Sequence, residues 1–427
     1  MFNSPLPGFY TRGPVEPMRF ARAVFVPLER KDTPMLVRTH TCGQLRPEHA
    51  GQTVTLNGWV NAYRDHGTGL IFVDLRDRHG LTQIVFDKED ADHHDLLDRA
   101  DKLRVEDIVA VKGAVRLRDG GPNPKLETGE VEVVVQELSV LSKAEDLPFQ
   151  PGDAQNLPGE ELRLQHRYLD LRRPAMQRVL ALRHRIAKFT RDFFDDNDFL
   201  EIETPILCKA TPEGARDFLV PSRVQPGRWY ALPQSPQLFK QILMVSGYDR
   251  YIQIARCFRD EDLRADRQPE FTQVDLEMSF VERETVLQTM EAYAKALWKR
   301  VAGVESEVFP RLTYRESMDR FGIDRPDLRY GLELVDVSDI VKDSDFKVFA
   351  GALAKHRGVV KAIRVPGGAE KFTRKITDGY TEFVKQFGAG GVPTAKFLGG
   401  KFDTGIAKFI EAVGDRLAER LGVEDGD

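Results

Sequence analysis

Cysteine is scarce: Cys42, Cys208 and Cys257 are the only three in 427 residues, and no two are spaced as metal ligands are. An odd, sparse set excludes a disulfide scaffold and suits free thiols in a reducing compartment, each read here as a small buried hydrophobe. Any run approaching the ~20 consecutive apolar residues of a membrane span is also missing, which excludes a helical membrane protein. The formal net charge of -5 supplies no global basic signal, so an RNA partner has to be met by charge arranged locally. With 41% hydrophobic and 30% charged residues the chain reads as globular, and its length asks for two or three domains. Residues 1–34 show no sustained period and are rich in Pro and Arg. They read as an unstructured leader, or as a start assigned upstream of Met35, with a targeting peptide as the alternative.

From Met35 the pattern changes. QTVTLNGWVNAYR, GLIFVDLRD, LTQIVFD, DIVAVKGAVRLR and EVEVVVQELSVLS alternate apolar with polar residues, which predicts five strands. A helical spacing in EDADHHDLLDRADKL separates the third from the fourth. Five strands with a helix after the third is the order of an OB-fold, a barrel that binds single-stranded nucleic acid on strands one to three. Arg64, Phe72 and Gln83 fall there, although a phenylalanine in a strand serves a core equally well. AEDLPFQPGDAQNLPGEE then reads as a linker.

The next segment predicts a helix from about Pro174 with Val179, Leu182, Ile186 and Phe189 on one stripe, then a strand FLEIETPIL stopped by Pro205. In YALPQSPQLFKQILM, Ser235 is placed to cap a helix with Pro236 at its first position. Gln237 and Lys240 share a face of that helix and suit a carboxylate, though a solvated lysine fits the same pattern. YIQIARC and VDLEMSF read as strands flanking FRDEDLRADRQPEFTQ, which holds eight charged residues. Period-two alternation puts Tyr251, Gln253, Ala255, Arg259 and Glu261 on one face, and Phe271, Gln273, Asp275 and Glu277 on one face of the return strand. An arginine for phosphate, an aromatic plate and amides suggest a nucleotide; a solvated hairpin tip is the bland alternative.

These segments together resemble the class II aminoacyl-tRNA synthetases in their bacterial aspartate-specific form. The long helix ending at Pro205 is similar to the first class motif, FRDEDLRADRQPEFTQ to the second, and TPEGARDFLVPSR and ALPQSPQLFKQ to the segments flanking it. The resemblance runs from about Arg38 to the end. It implies residues 35–143 as an OB-fold anticodon-binding domain, 144–161 as linker and 162–314 as the first part of an α+β catalytic domain on an antiparallel sheet. Residues 315–427 become an α+β insertion domain. It implies ATP-dependent activation of L-aspartate and transfer to tRNA(Asp), with Mg²⁺ on the phosphates, in a cytoplasmic homodimer free of membrane. Arg259 and Glu261 are then the catalytic pair and bind ATP with Phe271 and Gln273. Glu213, Ser235, Gln237, Lys240 and Asp275 bind aspartate. Arg64, Phe72, Gln83 and Arg264 contact tRNA.

Two departures stand beside it. The third class motif is not found in residues 315–427, and the acidic metal ligand is expected beyond residue 427, so a catalytically dead tRNA-binding fragment is one alternative and a paralogue of the class another. YRDHGTG puts His66 in the first barrel loop, which in the resembling proteins often accompanies charging of tRNA(Asn) as well, although a loop histidine is equally well a neutral surface residue.

Overall fold

The computed structural model describes residues 36–427 apart from 68, 89–93, 154, 212, 263, 265 and 307–308. The leader therefore lies outside the described residues. Two units emerge, Met1–Glu305 and Ser306–Asp427.

In the first unit, alternation does what the sequence predicts. Strands β1 (Thr53–Asp65), β2 (Leu70–Asp77), β3 (Gly80–Asp87), β4 (Ile108–Leu117) and β5 (Val131–Ser142) close a barrel in the order β1-β2-β3-β5-β4, with helix α1 (His94–Ala100) between β3 and β4. The parallel β3–β5 pair closes it, and Leu56, Val73, Leu75, Ile84, Val111 and Val133 fill the inside. Closure needs bare backbone at Gly113: a Cβ there, where β4 slips register against β5, would lie 2.1 Å from the Val134 carbonyl oxygen.

Beyond the barrel come short helices α2 (Glu160–Gln165) and α3 (Arg167–Asp170), then α4 (Pro174–Asp195), opened by proline at its first turn. Strands β6 (Leu200–Glu201), β7 (Leu219–Pro221) and β8 (Trp229–Ala231) precede helix α5 (Gln237–Val245). Strands β9 (Arg250–Phe258) and β10 (Glu270–Met278) and helix α6 (Arg283–Ala302) complete the unit. The sheet order is β10-β9-β6, with β9 and β10 antiparallel from Arg250↔Met278 to Phe258↔Glu270. Phe194, Phe199, Ile252 and Tyr293 form the core between α4, α6 and the sheet, joined by Leu276 and Met278.

Several expectations need correction. The α4 stripe is displaced toward the C-terminus: Thr190 and Phe194 are buried and Phe189 packs on the core, whereas Val179, which has no place in that core, is 56% exposed. The strand before Pro205 is only two residues long; its ladder ends where the Ile202 N–H bonds the Ile252 carbonyl, and Thr204 turns aside to Gln253. Helix α5 begins at Gln237, so Pro236 rather than Ser235 is its N-cap. Cys42 and Cys257 are buried, but Cys208 is half-buried beside the Ala231 carbonyl.

The second unit is α+β. Helix Tyr314–Phe321 starts with a reciprocal Thr313–Glu316 capping box. Two-stranded sheets, Leu334–Asp336 with Lys361–Ile363 and Lys396–Leu398 with Lys401–Asp403, accompany a core of Val337, Ile340, Val341, Ile410, Val413 and Leu417.

Candidate active site and nucleic-acid face

Register brings the hairpin residues together. Phe271 faces Cys257 across the strands, Gln273 faces Ala255, Asp275 faces Gln253 and Glu277 faces Tyr251. The opposite face, through Leu276 and Met278, is taken by the core, so this row is free for chemistry. Helix α5 sends Lys240 into it. The Lys240 Nζ lies 2.9 Å from Asp275 Oδ1 and 3.3 Å from Glu277 Oε2, and both Lys240 and Asp275 are only 9% exposed.

One ammonium thus sits between two acids. Burial works against the Lys240 charge, but the hydrogen bond and charge of Asp275, with Glu277 adding to them, outweigh it and hold the amine above its ordinary value. The Asp275 carboxyl is raised: burial dominates, Lys240 opposes it, and Glu277 adds like-charge repulsion. Asp275 Oδ2 is buried without a hydrogen-bond partner among the described residues, since the Tyr251 hydroxyl donates instead to Gln253 Oε1 at 2.7 Å. Burial, with Asp275 nearby, also pushes the Tyr251 hydroxyl up and the Cys257 thiol up to about 11, so that thiol stays protonated and inert.

A third acid stands at the same mouth. Glu213 accepts from Ser235 Oγ at 2.8 Å and from Thr211 Oγ1 at 3.2 Å. Ser235 Oγ also accepts from the Gln237 N–H at 3.3 Å, which fixes the hydroxyl at the start of α5. Gln234, buried and absent from the sequence reading, bonds both backbone groups of Ala215 and so anchors the Glu213 loop to α5. Its neighbour Ser235 was the only signal for it.

Arg259 lies with its guanidinium 5.1 Å from the Phe271 ring centre, so the expected phosphate contact and aromatic plate stack on each other. Gln273 Oε1 accepts from the Cys257 thiol at 3.2 Å. Glu261 points to the hairpin tip, where it pairs with Arg267 at 3.2 Å, and Arg264 bridges the same tip through its backbone. Glu261 and Arg264 are therefore set apart from the Lys240 cluster. Among the described residues no group of three His, Cys, Asp or Glu side chains is arranged to hold a metal ion. No helix among them is long and apolar enough to cross a membrane.

On the barrel, all three expected residues share the β1–β3 face. Arg64 makes a two-pronged contact with Asp74 at 2.9 and 2.7 Å and reaches Gln83 Oε1 at 3.2 Å. Gln83 in turn donates to buried Glu132 at 2.7 Å and accepts from Arg118 at 3.0 Å. Phe72 is half-buried, with the His66 ring edge-on at 5.1 Å. Asp74, Arg118 and Glu132 were missed; Asp74 is legible, two residues from Phe72 on the same strand face.

Residues 159–409 match the family model for class II tRNA synthetases (D, K and N), and residues 54–141 that for the OB-fold nucleic acid binding domain. The chain belongs to the class II tRNA synthetases. An aspartate–tRNA ligase of Halalkalibacterium halodurans is 52% identical over 396 residues, covering 92% of this chain and 66% of that protein. An aspartate–tRNA(Asp/Asn) ligase of Desulfatibacillum aliphaticivorans is 54% identical over 395 residues, covering 91% and 65%. The synthetase chain thus spans just under two thirds of the length of these relatives. Among solved structures, asparaginyl-tRNA synthetase from Pyrococcus horikoshii with asparaginyl-adenylate aligns with a TM-score of 0.56 at 25% identity, over 63% of this chain and 59% of that one.

Proposed function

We propose that this synthetase chain carries the amino-acid-activating and anticodon-reading parts of an aspartate–tRNA ligase. The observation that carries the reading is Lys240 held charged between Asp275 and Glu277 in a buried site, beside the Arg259–Phe271 stack. A buried ammonium selects a carboxylate side chain over an amide, while Glu213 and the unpartnered Asp275 Oδ2 suit the substrate ammonium.

In this reading an α-carboxylate oxygen of aspartate attacks the α-phosphorus of ATP. The bond to pyrophosphate breaks, and aspartyl-adenylate forms. Arg259 swings from Phe271 onto the α-phosphate, and the freed ring takes the adenine. A ribose hydroxyl of the tRNA then attacks the acyl carbon, and AMP leaves with the bonding electron pair. Positioning and charge supply the rate enhancement; no side chain forms a covalent bond. Family members use ATP with Mg²⁺, which neutralises phosphate charge when bound.

Arg64, Phe72 and Gln83 read the anticodon and Arg264 meets the acceptor end. His66 against Phe72 favours acceptance of tRNA(Asn) beside tRNA(Asp). Residues 315–427 fill the role of an insertion domain, and the enzyme works as a cytoplasmic homodimer. The test is aspartate-dependent ATP–pyrophosphate exchange, with asparagine and lysine as controls. Exchange with aspartate alone supports activation by this chain. No exchange from a chain that still binds tRNA(Asp) leaves an RNA-binding protein without the chemistry.

A further inference from the structure

A buried ionic joint lies between the barrel and the catalytic elements, away from both sites. Glu106, in the turn before β4, holds a left-handed backbone at φ 71° and bonds Val60 through its N–H at 2.7 Å. Its carboxylate is shared. Oε1 accepts from Arg76 at 2.6 Å, and Oε2 accepts from Arg172 at 2.8 Å, which belongs to the turn between α3 and α4. The Arg172 guanidinium also lies 5.4 Å from the ring centre of Trp59 on β1. Arg76 reaches on to Asn61 at 2.7 Å, and Asn61 sits where β1 slips register against β2.

Two further features tie this joint to function. Phe72, Asp74 and Arg76 alternate onto the same outward face of β2, so the strand that presents Phe72 to RNA ends in the anchor of the joint. On the other side, Arg172 adjoins Arg173, which caps α4 and pairs with buried Asp170 at 2.7 Å; α4 in turn packs on the β9–β10 sheet that holds Lys240's partners. A left-handed non-glycine residue bearing a doubly paired buried carboxylate is costly for a mere turn.

We propose that Arg172 is a positioning residue, a latch that fixes the barrel against the catalytic elements so that one RNA engages both at a set separation. This rests on the RNA-binding reading above. Two sites on one rigid frame gain from each other's binding, and a loose joint forfeits that gain without touching either site.

The test compares the parent chain with Arg172→Ala and Arg172→Lys. Arg76 still pairs with Glu106 in both, so the barrel keeps its buried charge compensated. Three measurements are made: binding of the isolated tRNA(Asp) anticodon stem-loop, binding of whole tRNA(Asp), and the rate of glutamyl-endopeptidase cleavage at Glu145 and Glu160, which lie near the two ends of the linker. Arg172→Ala is expected to bind the stem-loop as the parent does, to bind whole tRNA about tenfold more weakly and to be cleaved faster, with Arg172→Lys restoring most of both. A purely structural role would weaken the stem-loop as well. Cleavage of Arg172→Ala as slow as the parent's overturns the latch whatever the RNA does. A parent that binds no stem-loop overturns the RNA-binding reading instead, and leaves the cleavage rates to judge the joint.

Discussion

Lys240 and Asp275 meet at 2.9 Å in a site where a second acid, Glu277, stands 3.3 Å from the same ammonium. Replacing Lys240 with Met leaves two carboxylates facing each other in a buried pocket. Breaking such a group by removing one partner costs about 3–5 kcal/mol. We expect Lys240→Met to abolish aspartate binding by calorimetry and to lower the unfolding midpoint. Retained aspartate affinity would mean that Lys240 does not recognise the substrate side chain.

Phe72 offers a half-buried ring on the barrel face beside Arg64 and Gln83. Base–aromatic stacking is worth ~1–3 kcal/mol per base, so Phe72→Ala should weaken stem-loop binding roughly tenfold or more. Arg64→Gln should instead flatten the salt dependence of binding, because it removes a charge rather than a stacking surface. Equal affinities for Phe72→Ala and the parent would place Phe72 in the core alone.

Much of this was legible from alternation. Period-two patterns located all five barrel strands, and they also sorted Phe271, Gln273, Asp275 and Glu277 onto one face of β10. What sequence could not supply was pairing across distance. The Glu106–Arg172 contact joins residues 66 apart, and the Gln83–Glu132 bond spans 49. Local propensity carries no information on such partners. The α4 stripe failed for a related reason: helical spacing finds an apolar face, but the elements packed against it, α6 and the sheet, decide how far along the helix that face is covered. Val179 continues the pattern and stays exposed.

In the core, Phe194 is fully buried against Phe199 and Tyr293, with ring centres 5.0 Å from each. Phe194→Ala should cost ~3–5 kcal/mol through lost transfer energy and an unfilled cavity. Tyr293→Phe should cost only about 1 kcal/mol, because Thr190 keeps its bond to the Ile186 carbonyl at 2.8 Å when the tyrosine hydroxyl goes. Chemical denaturation of the two variants checks the ranking.

Asp170 and Asp275 should respond to acid in opposite senses. Burial alone would raise Asp170, but its hydrogen bond and charge pairing with Arg173, together with the charges of Arg163 and Arg167, outweigh it and hold the carboxyl below its usual range. Its stabilisation is therefore present above the ordinary carboxylate value of ~4 and is lost as pH falls through the depressed one. Asp275 is raised, so the fold binds its proton more tightly than the unfolded chain does. That contribution is full below the ordinary value and is lost as pH rises through the raised one. Accordingly, Asp170→Asn should lower the unfolding midpoint at neutral pH and remove part of the loss seen on acidification, since three arginines then lack their shared anion. Asp275→Asn should leave the midpoint at neutral pH unchanged or higher while aspartate binding disappears. Unfolding midpoints of both variants, followed from neutral pH down to below the ordinary carboxylate value, decide the matter: parallel curves for the two would refute the assignment of one as a structural anchor and the other as a strained binding group.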